Sequence, residues 1–337
     1  MDSYFKQKIL LFFSLILGIG IFLWIGKIIG WEEIKSSFSI FSTWQGLVII
    51  LLSFLIALIA TFRWKEIIKD SGNDAPFWQL FKIYLGGYSI TYLFPILIWC
   101  GEGFRIYELS RQNNISWKKT FASVVIERIL EWTVNIIIIL FALFYFIYSI
   151  SFLPRELIIL FGLFLLFFIF IITFFYIKSF GKNSIIKKIF RTFFKKEISE
   201  ENSLIAVEND VFDYFQIKNK AFQKGIILSF LKALVMQLRT WILILFLGEL
   251  IGFLSSLSVL GFTYLASTVP IPTALGSHEI IQYFAFKSLG IDVSMTTIFT
   301  MIIRTSEVIV SLLGIVFLLK TGFNFLSSKI LKNGENK

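Results

Sequence analysis

Two arginine–glutamate pairs stand inside stretches of sequence that are otherwise apolar. Arg128 and Glu131 are three residues apart, Glu127 immediately precedes Arg128, and Arg304 and Glu307 repeat the three-residue spacing. On a helix, side chains three or four positions apart share a face, so Glu127, Arg128 and Glu131 form one polar group. A guanidinium is a rigid fork of donors suited to a phosphate or carboxylate. Glutamates beside it can hold the fork or accept a proton. A charge at mid-bilayer costs about 2.5–3.5 kcal/mol on insertion scales, so these side chains are expected to face a partner or a wet cavity. Two roles fit: tying helices together, or gripping the headgroup of a lipid. Arg128, Arg304 and Arg239 are the candidate headgroup ligands. Glu102, Glu127, Glu131, Glu279, Glu307 and His278 are the candidate charge partners or proton carriers.

Each pair follows a broken apolar segment. Pro95 precedes Glu102 by seven residues, and Pro272 precedes Glu279 by seven. Glu102 and Arg128 are 26 positions apart, and Glu279 and Arg304 are 25 apart. Gly86, Gly87, Pro95 and Gly101 in the first copy, and Pro270, Pro272 and Gly276 in the second, are the expected hinge positions. Glu102 and Glu279 suit the free amides that a broken helix exposes, and the same amides would add affinity for an anion. His278, beside Glu279, fits a proton relay or a hydrogen bond within the hairpin. On another apolar segment Lys232 and Arg239 lie seven apart, near Gln237. Arg239 is deep enough to face a cavity, whereas Lys232 is expected to snorkel to the surface.

Apolar helices must carry these groups. The chain of 337 residues is 57% hydrophobic and 16% charged. Its apolar residues come in long runs such as 9–25, 46–62 and 157–177, near the roughly 20 residues that a helix needs to cross the hydrocarbon layer. The fold class is all-α: a polytopic integral membrane helical bundle with two broken, re-entrant hairpin regions in an inverted repeat. The spacing predicts a single transmembrane domain over 1–320, re-entrant regions at 77–100 and 253–289, and a short cytoplasmic tail, 321–337. The first run continues into Trp24 and Lys27 without a small-residue cleavage motif, so it is expected to remain as a helix. A second helix, 45–62, runs to Arg63, Lys65 and Lys69 as loop charges. Others follow at 119–150, 157–177, 225–247 and 294–319, giving six full spans with both termini inside the plasma membrane. Segment 178–224, with ten Lys or Arg and six Asp or Glu, is expected to be cytoplasmic, as an amphipathic surface helix or loop bundle.

Composition narrows the function. The net charge of +10 follows the positive-inside pattern, with anionic lipid rather than nucleic acid as its counter-charge. One cysteine and one histidine suggest no internal disulfide and no metal site of the usual kind. No nucleotide-binding loop, cofactor motif or activated nucleophile is evident, so enzyme activity is not expected.

The run Leu85-Gly86-Gly87 through Pro95, then Gly101-Glu102-Gly103-Phe104-Arg105 and Ile126-Glu127-Arg128, resembles the first signature of a known family. Pro270-Ile271-Pro272-Thr273-Ala274-Leu275-Gly276-Ser277-His278-Glu279 resembles the second. Together they are similar to the lysylphosphatidylglycerol-synthase transmembrane-region family of flippase-like membrane proteins, over nearly the whole chain. The resemblance implies a bundle with broken helices and, in the best understood relatives, movement of aminoacylated phospholipids between leaflets. Other relatives are associated with polyprenyl-linked substrates. It places the family's conserved positions on Pro95, Gly101, Glu102, Arg105 and Arg128, and on Pro272, Gly276 and Glu279. Ala274, Leu275 and Ser277 stand where the commoner form has more glycine, leaving less room for a headgroup. Bifunctional relatives append a soluble aminoacyl-transferase domain, and synthase activity is not expected of a chain with so short a tail. The expected partners are membrane lipids, with a phospholipid or polyprenyl-linked lipid as cargo, and a second copy or a separate soluble synthase as protein partner. The expectation is a lipid flippase or transporter. The alternatives are a scaffold that recruits a partner and, less favoured, a lipid-modifying membrane enzyme.

Overall fold

A computed structural model describes residues 44–93, 99–149, 155–194, 199, 202–267, 277–293 and 295–335. The described residues are helical apart from turns and short connections. In chain order the helices are α1 (Trp44–Asp70), α2 (Phe77–Leu93), α3 (Cys100–Asn113), α4 (Trp117–Ser149), α5 (Arg155–Phe180), the single turn α6 (Ile185–Ile189), α7 (Ser203–Tyr214), α8 (Lys220–Phe246), α9 (Phe253–Ser267), α10 (Ser277–Ser288) and α11 (Met295–Glu335). Five of them, α1, α4, α5, α8 and α11, contain stretches long and apolar enough to cross a bilayer. The chain is thus a polytopic all-α membrane bundle. The span expected at 9–25 lies outside the described residues, as do Pro95, Pro270, Pro272 and Gly276.

Local sequence sets the helix ends. Asn219 and Asn202 cap α8 and α7, accepting from the amides of Ala221 at 2.8 Å and Leu204 at 2.9 Å. These side-chain acceptors satisfy amides that have no partner within the helix. Helix α3 stops at Asn114, which takes the left-handed conformation at φ 54°. Asparagine tolerates that region better than most residues.

Helices α2 and α3 form an antiparallel pair. Gln79, near the start of α2, donates to Gln112 and Asn113 at the end of α3. At the other end Gly87 faces Gly101: a Cβ on Gly101 would stand 2.3 Å from the Gly87 carbonyl oxygen. Gly86 and Gly87 are therefore not hinges. They lie inside the continuous helix α2, where a missing side chain lets α3 approach. The returning limb also extends beyond the expected 77–100 segment, to Asn113. Helices α9 and α10 pair likewise, with Gln282 donating to the Val259 carbonyl and to Thr263. Gly261 sits within α9. Its Cβ would meet Ala142 Cβ at 2.3 Å and the Ile138 oxygen at 2.8 Å, so α9 lies directly on α4. Gly314 does the same for α11 on α2, with Ser89 Oγ at 2.0 Å and the Leu85 oxygen at 2.2 Å from an added Cβ. Small residues at such crossings are how apolar helices gain contact where lipid is as greasy as they are.

Helices α1 and α8 run antiparallel along the centre. Ser53 meets Arg239, and Arg63 meets Ser229. One end of the bundle gathers the end of α1, the starts of α4 and α8, and the end of α5. There Lys119 donates to the Ser71 carbonyl, Asn219 to Asp70, Lys224 to Glu66, and Gln216 to the Ser179 carbonyl. This end carries most of the described lysines. At the other end Trp44 packs edge-on against Phe246, and the Asp292 amide donates to Glu249.

Candidate functional site

Arg63 organises the densest polar group in the membrane-spanning region. Its Nη2 donates to Glu127 Oε1 at 2.9 Å and Glu131 Oε2 at 3.1 Å, and its Nη1 to Ser229 Oγ at 3.0 Å. The helix of α1 continues to Asp70, so Arg63 is not the loop charge expected from the sequence. It is buried, 1% exposed, as is Glu127. About five turns of mostly apolar helix precede it, and its neighbours on α4 and α8 supply every acceptor it uses.

The network spreads from the two carboxylates. Glu127 Oε2 accepts from Arg105 at 2.5 Å, and the Arg105 guanidinium stacks over Trp64 at 4.1 Å and Tyr84 at 5.0 Å. Glu131 Oε1 accepts from Lys232 at 2.5 Å. Lys232 is therefore not snorkelling: it is buried, and its ammonium points into the bundle. Arg128 donates to Glu102, and its other nitrogen stands 3.9 Å from Glu131. The Arg128–Glu131 spacing thus places the two side by side, while the shorter contact of Arg128 is to α3. Four cations (Arg63, Arg105, Arg128, Lys232) face three carboxylates (Glu102, Glu127, Glu131) across α1, α3, α4 and α8. In a medium of low dielectric such charges persist only when each is paired and hydrogen-bonded.

One part of this network reaches the surface. Arg128 is 32% exposed and Glu131 20%, whereas Arg63, Arg105, Glu127 and Glu102 are sealed. The accessible element is a guanidinium fork held from behind by Glu102. An anion arriving there would meet Arg128 with its orientation already set, in surroundings that strengthen the contact.

A second, smaller group forms nearer the opposite end of α1. Arg239 Nη1 donates to Ser53 at 3.0 Å, Ser53 donates to Ser306 at 3.1 Å, and Arg239 Nη2 stands 3.5 Å from Glu307. Arg304, buried on the same helix as Glu307, offers its carbonyl to Tyr92 at 3.4 Å. Ser53 and Arg63 are ten residues apart, which on a helix is about 15 Å along the axis. Arg128 and Arg239, expected in one constellation, thus belong to separate groups. The backbone places His278 and Glu279 in the first turn of α10.

Reading the sequence for charge pairs on single helices overlooked Arg63, Ser53, Ser229 and Ser306. A signal was present. Arg63 and Arg239 are 176 positions apart, and so are Ser53 and Ser229, Arg128 and Arg304, and Glu131 and Glu307. Leu85 and Gly261, and Ile138 and Gly314, share the same offset, and these four make the two close helix crossings described above.

Comparison with known proteins agrees with this architecture. The family described as the lysylphosphatidylglycerol synthase TM region matches residues 11–314. A UPF0104 membrane protein of Methanocaldococcus jannaschii is 28% identical over 280 residues, covering 80% of this chain and 82% of the relative. One of Pyrococcus horikoshii is 25% identical over 299 residues, covering 84% and 88%. No solved structure matches. With a match that takes in both polar groups and every helix that builds them, the chain belongs to the lysylphosphatidylglycerol synthase transmembrane-region family.

Proposed function

We propose that this protein moves an amphipathic lipid with an anionic or zwitterionic headgroup, a phospholipid or a lipid-linked precursor, between membrane leaflets. The observation that carries the proposal is the surplus of cations over carboxylates in the Arg63 group, together with the exposure of Arg128 at its edge. Arg128 would bind the headgroup, with Glu102 and Glu131 setting its geometry. Arg239 and Arg304, with Glu307, would serve the same headgroup on the other side of the bundle centre. The hydrocarbon layer is about 30 Å thick, so groups about 15 Å apart along α1 divide the crossing into shorter steps.

The two halves fit an inverted repeat. In this reading α1–α4 correspond to α8–α11, and the antiparallel pairs α2–α3 and α9–α10 enter as re-entrant hairpins from opposite faces. The shared offset supports it, as do the reciprocal contacts of Arg63 with Ser229 and Arg239 with Ser53. Repeats of opposite topology are a common basis for alternating access. The lysine-rich end is assigned to the cytoplasm by the positive-inside pattern.

The sealed core around Arg63 favours a second reading, a scaffold in which the ion pairs only hold helices together. Purified protein in liposomes separates the two. Leaflet exchange of labelled phospholipids and polyprenyl phosphates is measured for wild type, Arg128→Gln and Arg304→Gln. Losing one charge-assisted contact worth about 1.5–3 kcal/mol slows exchange by roughly 10- to 100-fold if the contact forms in the rate-limiting state. Folded wild-type protein that exchanges none of these lipids would leave only the scaffold. Exchange unchanged in both variants would remove the arginines from the headgroup site.

A further inference from the structure

The stretch that follows α5 carries apolar side chains that stand exposed among the described residues. Helix α5 ends at Phe180, a turn through Lys182 at φ 48° redirects the chain, and Ser184 caps α6, which continues as a π turn over Phe190–Phe194. Ile185, Ile186, Ile189, Phe190 and Phe193 fall on one side of this segment, and Lys187, Lys188, Arg191 and Thr192 on the other, at about 100° per residue. The wider π turn preserves the division.

The segment is held firmly at its start. Glu208 of α7, itself buried, accepts from the amides of Ile185 at 2.8 Å and Ile186 at 3.0 Å and from the Ser184 hydroxyl. Lys182 pairs with Asp213 of the same helix. Ile185 packs against the buried cluster around Phe212 and Phe215, but the apolar side emerges from the protein farther along. Phe193 is 78% exposed and Ile189 43%. These two are four residues apart, so they project together.

We infer that Ser184–Phe194 is an in-plane membrane anchor whose exposed Ile189 and Phe193 enter the leaflet at the lysine-rich end and whose basic face binds anionic lipid headgroups. Position favours a lipid surface as occupant. The segment begins four residues after the end of a helix long and apolar enough to span the bilayer. Charge favours an anionic one, because Lys188 and Arg191 flank the apolar face without sharing it. An amphipathic helix of this composition buries its apolar side at the headgroup boundary and gains from negative lipid. Its place in the chain, beside α5 and locked to α7, would fix α7 and the start of α8 against the bilayer surface.

Site-directed spin labelling of the full chain tests the inference. Cys100→Ser protein carrying Phe193→Cys or Lys188→Cys is labelled and reconstituted in nanodiscs, of zwitterionic lipid alone or with about a third anionic phosphatidylglycerol. Access to oxygen is compared with access to a water-soluble nickel complex. With anionic lipid, the label at 193 is expected to favour oxygen and the label at 188 nickel. Adding Lys188→Gln and Arg191→Gln should shift the label at 193 toward nickel. A label at 193 that favours nickel in both membranes overturns the anchor. So does one shielded from both reagents, which would place a protein surface there instead. Oxygen-favoured access that ignores both lipid charge and the glutamine substitutions overturns the recognition of anionic headgroups.

Discussion

Replacing Arg63 by alanine tests the structural logic of the polar core most directly. One guanidinium nitrogen bridges Glu127 and Glu131, and another holds Ser229. Truncation leaves Glu127 with Arg105 and Glu131 with Lys232, each at 2.5 Å, but removes the group that joins them. Two carboxylates four residues apart on α4 would then face each other across a cavity without a shared cation. Removing one partner of a buried ion pair typically costs about 3–5 kcal/mol. The contacts that survive place Arg63→Ala toward the lower figure, about 3 kcal/mol. Arg239→Ala should cost less, below about 2 kcal/mol: its carboxylate partner stands 3.5 Å away and is 30% exposed, so solvent or headgroups can take over. Equilibrium unfolding in mixed micelles, or steric trapping in bicelles, measures both. Adding Glu127→Gln to Arg63→Ala removes one of the two facing carboxylates and should recover about 0.5 kcal/mol or more relative to additivity, near the lower bound of coupling between contacting residues, about 0.5–3 kcal/mol. Arg239→Ala matching Arg63→Ala, or strict additivity of Arg63→Ala with Glu127→Gln, would refute the bridging role.

Glycine substitutions probe the helix crossings. Gly261→Ala and Gly314→Ala force a methyl against backbone oxygens at 2.8 and 2.2 Å and should each destabilise by about 1–3 kcal/mol. Gly162→Ala on the lipid-facing α5 meets nothing within 4 Å and should be neutral or stabilising by up to about 1 kcal/mol. The same unfolding assay compares them. Topology is checked in the Cys100→Ser background with an impermeant thiol reagent on sealed cells or oriented vesicles. Arg111→Cys should label from the cytoplasmic side and Asp292→Cys from the other, and labelling of both from one side contradicts the assigned orientation. Arg105→Lys should lower stability by about 1–2 kcal/mol, because an ammonium loses the planar stacking on Trp64 while keeping the charge beside Glu127.

The spans were legible because membrane helices announce themselves by length and composition, with no need for a partner to be known. Helix α4, expected at 119–150, runs from Trp117 to Ser149. Charge was misread where sequence position stood in for depth. Arg63 follows seventeen mostly apolar residues and precedes Lys65, so it looked like the first residue of a basic loop. In the fold, α1 continues for seven more residues, and Arg63 faces α4 while Glu66 turns to Lys224. Lys232 suffered the same error, since the partner that draws it inward, Glu131, is 101 residues away. Glycines posed the opposite difficulty. Gly86 and Gly87 signal a bend and a close approach equally well from sequence, and only the position of Gly101 shows that approach is their use.

The proposed duplication explains a further asymmetry. At the offset that pairs Arg63 with Arg239, Glu127 corresponds to Ile303, Lys232 to Ile56, and Arg105 to Ile281. The duplicated frame is thus an arginine on each central helix, a serine on the other to receive it, and an arginine–glutamate pair on the long helix that follows. Glu127, Lys232 and Arg105 are additions on the lysine-rich side alone. They bring two cations and one carboxylate to that side, beyond the two arginines and one glutamate that the frame places on each side. A headgroup moving between the two groups would meet the same guanidinium–serine contact at both, but different electrostatics. If the protein discriminates among headgroups by charge, the discriminating residues are those three rather than the repeated ones. Glu127→Gln, which raises the surplus by one without altering the repeat, should then shift lipid preference toward more anionic headgroups. Arg239→Lys, which disturbs the repeated frame but not its charge, should slow all headgroups alike.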